Sequence, residues 1–194
     1  MERRFDMSKI AVIFPGVGYN KDRPLLYYAG KLAGKSGYEL RFVDFSGIKW
    51  SKEQLKDRAF LLKTLETCLK MTEDALKDAG DMASDEVIFI SKSIGTVVSL
   101  AYAKEREIRP IQICFSPLEM ISDFVDDKGA VLFCGDDDPM ADHRVLEEIA
   151  LEKHLEIHMI AGGNHSLETG DVSADIDNLK IMMQRVGEVV SQAH

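Results

Sequence analysis

Val87-Ile88-Phe89-Ile90 is an uncharged, β-rich run, and after Ser91-Lys92-Ser93 a second apolar stretch passes through Ile94, Val97, Val98, Leu100 and Ala101. A run that is apolar at every position needs cover on both faces of its sheet. The small residues between the two runs leave room for a tight reversal. The stretch from Asp85 to Thr96 therefore reads as a buried strand, a turn carrying Ser93, and the start of a buried helix.

The rest of the chain repeats this alternation. Lys9-Ile10-Ala11-Val12-Ile13-Phe14 is a second doubly covered strand, followed by the glycine-containing turn Pro15-Gly16-Val17-Gly18-Tyr19-Asn20. Asp22 is placed to cap the next helix, with Pro24 in its first turn and a glycine stop at Gly34 or Gly37. A strand is expected over 38–45. Ser51 and Gln54 have capping-box spacing before a long helix with Leu55, Leu62, Leu69 and Leu76 on one face, aided by Ala59 and Leu65, ending at Gly80. Further strands are expected over 108–115, 131–134 and 155–160, with helices over 143–154 and 173–192. The last helix carries Ile176, Leu179, Met183, Val186 and Val190 at three- and four-residue spacing. Strand and helix alternate throughout, which predicts an α/β fold, three-layer α/β/α, around a mostly parallel sheet of about six strands.

At 194 residues the chain has the length of one domain, 1–194, with residues 1–7 read as a disordered N-terminal extension. Hydrophobic residues make up 45%, enough for a packed core. A net charge of -9 argues against binding to nucleic acid or to an anionic membrane. Cys68, Cys114 and Cys134 are odd in number and lack metal-ligand spacing, which fits free thiols in a reducing compartment. No signal-peptide core or bilayer-length apolar run is present, so the expected location is cytoplasmic.

Three places carry candidate chemistry. A serine between small residues on a strand-to-helix turn is the arrangement that exposes a nucleophilic hydroxyl, although small-residue turns without chemistry share its spacing. Asp136, Asp137 and Asp138 follow a buried strand at the carboxyl edge, where α/β folds place ligands and catalysts. His165 ends the next strand in the glycine-rich loop Gly162-Gly163-Asn164-His165. The other histidines, His143, His154, His158 and His194, read as surface, half-exposed or terminal residues. Two phosphate-binding motifs fail. Gly16-Val17-Gly18 with Asp44 would need its third glycine at Lys21, and Gly34-Lys35-Ser36 would need a glycine at Ala29.

Serine, acid and histidine arrive in the order Ser…Asp…His, each after its own strand, and here the chain resembles the α/β-hydrolase family from about Lys9 to the final helix. Ser91-Lys92-Ser93-Ile94-Gly95 matches the family's nucleophile elbow with serine where glycine is commonest. Gly135-Asp136-Asp137-Asp138-Pro139 is similar to its acid loop, where the acid lies three residues after a glycine, which favours Asp138. Gly163-Asn164-His165-Ser166-Leu167 is similar to its histidine loop. Phe14-Pro15-Gly16-Val17-Gly18 stands at the oxyanion loop, with Pro15 in place of the frequent histidine.

The resemblance implies Ser93 as nucleophile, His165 as base, Asp138 as the histidine's partner, and the backbone N–H groups of Val17 and Ile94 as oxyanion donors. It implies no cofactor and no metal. A lid would be inserted where only residues 118–129 stand, so a capless enzyme with an open site is expected. Tyr19, Lys92, Pro117, Leu118, Met120 and Met140 are expected to border the site, with Lys92 placed either to attract an anionic substrate or to point into solvent. The expected substrate is a small acyl compound, a carboxylic ester or thioester. The alternatives are a small peptidase or amidase with the same three residues, or a catalytically silent hydrolase-like binding protein.

Overall fold

A computed structural model describes residues 8–49, 54, 57–79, 82 and 86–192. Strands β1 (Lys9–Phe14), β2 (Glu39–Phe42), β3 (Glu86–Lys92), β4 (Ile111–Phe115), β5 (Ala130–Gly135) and β6 (Glu156–Ile160) form one sheet in the order β2-β1-β3-β4-β5-β6. Every neighbouring pair is parallel. Helices α1 (Pro24–Lys35), α2 (Arg58–Leu76), α3 (Ile94–Glu105), α4 (His143–Glu152) and α5 (Val172–Gln192) make the crossovers and the final cover. The three-layer α/β/α architecture read from the sequence is the one observed.

The continuous apolar strands have the expected cause. Along β1, Ile10, Val12 and Phe14 join a core with residues of α2, α3 and α4, while Ala11 and Ile13 join a second core with residues of α1 and α5. The sheet separates the two cores, and successive side chains serve opposite faces. α3 lies against the central strands with ten consecutive residues buried, from Ile94 to Ala103.

The helix ends and faces depart from the sequence reading in instructive ways. α1 starts after Arg23 without a side-chain cap; Asp22 instead donates its N–H to the Asn20 side chain. The Tyr19 hydroxyl accepts from the Leu25 amide at 3.1 Å and takes over the capping role. The helix stops before Gly37, which holds φ +89°. In α2 the buried stripe is Thr64, Leu65, Cys68, Thr72 and Leu76, while Leu62 is exposed. A seven-residue leucine spacing drifts on a 3.6-residue helix. The two threonines can face the core because Thr64 and Thr72 donate their hydroxyls to the carbonyls of Phe60 and Cys68. In α5, Ile176 likewise faces solvent, and Met182 and Val189 join Val186 and Val190 in the core. Ser51, Leu55, Gly80, Asp85, His194 and residues 1–7 lie outside the described residues. Residues 118–129 contain one 3-10 turn, Glu119–Asp123, and no inserted domain.

α2 opens at Asp57, whose carboxylate accepts from the amides of Ala59 and Phe60 at 2.9 and 3.3 Å. Asp57→Ala should lower the unfolding free energy by about 1 kcal/mol in a urea titration, with the slope unchanged.

Candidate active site

The carboxyl ends of β1, β3, β5 and β6 converge on one edge of the sheet, and four loops meet there. At the end of β3 the chain turns into α3 through Ser93, which holds φ 55° and ψ −126°. A non-glycine residue in this region is strained. The turn is fixed from both sides. The Ser93 amide donates to the Phe115 carbonyl at 3.0 Å, and Thr96 returns both its amide and its hydroxyl to the Ser93 carbonyl.

Glycine is required two residues further on, where a Cβ at Gly95 would stand 2.5 Å from the Pro15 carbonyl oxygen and 2.6 Å from that of Phe14. Ser91, by contrast, does not need glycine's backbone freedom, because it lacks a positive φ. Its buried hydroxyl donates to the Ile113 carbonyl at 3.1 Å, so the serine is satisfied on the neighbouring strand.

His165 Nε2 lies 2.8 Å from Ser93 Oγ, and His165 Nδ1 lies 2.7 Å from Asp138 Oδ2. The structure thus brings the three sequence-selected residues into one hydrogen-bonded series. Asp138 Oδ1 accepts from the Met140 amide at 2.8 Å, and the carboxylate is nearly closed off from solvent. The neighbouring acids do other work. Asp136 accepts from the Gly162 amide at 2.6 Å and ties the acid loop to the histidine loop, and Asp137 is exposed. Burial holds the His165 imidazole below its usual pKa; the Asp138 bond opposes this and the Lys92 cation adds to it.

The histidine loop is built by Asn164, whose side-chain oxygen accepts from the amides of Ser166 and Glu168 at 2.7 and 3.3 Å. The sequence showed this asparagine only as a flanking residue; its asparagine-turn role follows from contacts two and four residues away. Gly135 closes the assembly from below. A Cβ there would fall 2.0 Å from the Gly163 carbonyl oxygen, so β5 and the histidine loop touch backbone to backbone.

The first loop lies against the serine: a Cβ on Gly16 would be 3.1 Å from Ser93 Cβ. Gly16 and Tyr19 exchange backbone hydrogen bonds of 3.0 and 3.3 Å around Gly18, at φ +75°, which pins the loop. Between them, the Val17 amide has no acceptor among the described residues, and the Ile94 amide at the start of α3 has none either.

One groove reaches Asp138, and another passes Ser166 next to His165. The first, of about 750 Å³, runs past Leu118, Met120, Asp138, Met140 and Val145. The second, of about 450 Å³, runs past Tyr19, Ser166, Leu167 and the start of α5. Pro117 is buried and lines neither. Lys92 departs most from expectation. Its side chain is 1% exposed and lines neither groove, and its ammonium donates to the His165 carbonyl at 2.6 Å. It is turned into the protein, because the strand position before the turn faces the packed loops rather than solvent.

Solved structures share this architecture. Est1E from Butyrivibrio proteoclasticus, solved with ferulic acid bound, superposes with a TM-score of 0.70 at 16% identity over 96% of this chain and 89% of its own. The Pyrococcus furiosus esterase Pf2001 gives 0.66 at 15% identity, covering 96% and 84%. An α/β serine hydrolase without lid from Xanthomonas campestris gives 0.60 at 15% identity, covering 96% and 84%. The chain has the capless α/β-hydrolase fold. No family model matches the sequence, and no curated protein matches it. In this α/β-hydrolase fold no helix among the described residues is long and apolar enough to cross a membrane.

Gly135→Ala should lower stability by about 3 kcal/mol or more, since backbone cannot yield as a flexible side chain would. Gly47→Ala, with nothing within 4 Å of its new Cβ, should change it little. Paired chemical denaturation curves read both.

Proposed function

We propose that the protein is a serine hydrolase acting on a carboxylic ester or thioester. The observation that carries this reading is the series Ser93 Oγ, His165 Nε2, His165 Nδ1 and Asp138 Oδ2, with steps of 2.8 and 2.7 Å at its two contacts. Ser93 Oγ attacks the acyl carbonyl carbon while His165 Nε2 takes its proton, and Asp138 holds Nδ1 protonated and stabilises the imidazolium. The carbonyl oxygen becomes an oxyanion that accepts from the Ile94 and Val17 amides, each donor supplying about 3–4 kcal/mol of barrier lowering. The positive end of α3 adds to this. The imidazolium returns the proton to the leaving alcohol or thiol as the tetrahedral adduct collapses. Water, deprotonated by the same nitrogen, then releases the acid from the acyl-serine.

The groove past Leu118, Met120, Met140 and Val145, which Arg58, Glu119 and Asp142 also line, offers apolar contacts beside charged ones to a substituent on the acyl side or the leaving side. One neighbour named as an esterase, and another solved with ferulic acid bound, agree with ester chemistry.

Labelling with a fluorophosphonate tests the reading. The wild-type protein should react at Ser93, and Ser93→Ala should not; a label that persists in the variant sinks the assignment. Asp138→Asn should lower kcat for an aryl ester by about 10⁴, as in triads where the imidazole tautomer is lost, while Asp137→Asn should leave it within about twofold.

The pH profile has a definite sign. The base works neutral, and burial favours the neutral form of His165, so the acid limb of kcat/KM should fall below the ordinary histidine range near pH 6.5. An acid limb above that range would contradict the burial argument.

A further inference from the structure

Among the described residues Lys92 is the one buried cation of the site, and the chemistry above does not use it. Three loops enclose its ammonium. The Tyr19 ring from the β1–α1 loop lies with its centroid 5.2 Å from Nζ, and the His165 carbonyl from the β6–α5 loop accepts at 2.6 Å. Asp138, from the β5–α4 loop, acts on it through space. Among the described residues, Tyr19, Asp138 and His165 are the titratable groups facing it, and Glu168 and Arg23 in turn face Tyr19. Gly16 packs on its stem, since a Cβ there would lie 3.5 Å from Lys92 Cγ. A surface lysine would gain nothing from a carbonyl and a ring face that water does not offer. A buried one spends its desolvation on whatever it holds.

Resting on the proposed function, we propose that Lys92 is a positioning residue: its ammonium clamps the backbone of His165 to the strand that carries Ser93. The residue next to the nucleophile thus grips the base from behind, through the peptide carbonyl rather than the ring. The connection fixes the spacing between the end of β3 and the histidine loop, 73 residues apart, whose only other hydrogen bond at this point among the described residues is the reactive one itself. Burial agrees with the assignment, because it pushes Lys92 down to about 7 against the opposing pull of Asp138. Below that pH the ammonium is charged, which is where His165 titrates. Its repulsion therefore lowers the histidine pKa, in the direction found.

Lys92→Met keeps the length of the stem and removes both donor and charge. With an aryl ester, kcat should fall about 10- to 100-fold, as expected for a base displaced by an ångström or less, with KM nearly unchanged because Lys92 lines neither groove. The acid limb of kcat/KM should move to higher pH. A folded Lys92→Met with unchanged kcat and an unchanged acid limb overturns the proposal, as does an effect confined to KM.

Two readouts separate this proposal from the triad reading. If wild-type protein takes no phosphonate, the triad reading fails, and Lys92 is judged by the NMR titration of the His165 ring, which should shift to higher pH in Lys92→Met. If that variant does not fold, the ¹³Cε titration of Lys92 in wild-type protein decides. A titration near neutral pH that perturbs the His165 ring supports the clamp; titration alongside the surface lysines overturns it.

Discussion

Residue 95 has no side chain because the carbonyl oxygens of Phe14 and Pro15 occupy the space where one would stand. That contact brings the first turn of α3 against the end of β1, and the site's arrangement depends on it. It sets Ser93 in a left-handed backbone conformation at the start of a helix, with the hydroxyl projecting above the sheet edge. It also lays the Gly16–Tyr19 turn beside the serine, and the Val17 and Ile94 amides have no acceptor among the described residues. The backbone strain at Ser93 persists because the hydrogen bonds to Phe115 and Thr96 and the close approach at Gly95 all constrain the same turn.

A second backbone contact performs the same service for the other two loops. Gly135 meets the Gly163 carbonyl, Asp136 accepts from Gly162, and Asn164 folds the histidine loop on itself. Asp138 and His165 therefore approach one another as parts of a single packed unit. Lys92 joins that unit to β3. The result is a set of four loops held by three kinds of tie, namely glycine-enabled backbone packing, carboxylate-to-amide bonds and one buried ammonium.

Much of this was legible in the chain, and for identifiable reasons. Continuous apolar runs located the strands because a doubly covered sheet leaves no polar face, and the order of serine, acid and histidine pointed to the residues that now lie in series. The reading erred where a pattern was consistent with more than one face. Leu62 and Ile176 are apolar yet exposed, and Thr64 and Thr72 are polar yet buried. Hydroxyls that bond their own helix carry no polarity to the core, and a spacing rule does not register that. Asp22 had cap chemistry at the right place, but the Tyr19 hydroxyl took the Leu25 amide instead.

The sequence alone determined the alternation of strand and helix, the positions of the tight turns, and which serine, acid and histidine stand at strand ends. These follow from local periodicity and from residues whose size or backbone freedom leaves few choices. Only the tertiary structure decided the direction of Lys92. A lysine beside Ser93 reads as solvent-facing or substrate-facing from the chain, because burial of its charge depends on partners supplied by loops around Tyr19, Asp138 and His165. No spacing within the strand reveals those partners, and the cost of an unpaired buried ammonium is offset only where they meet.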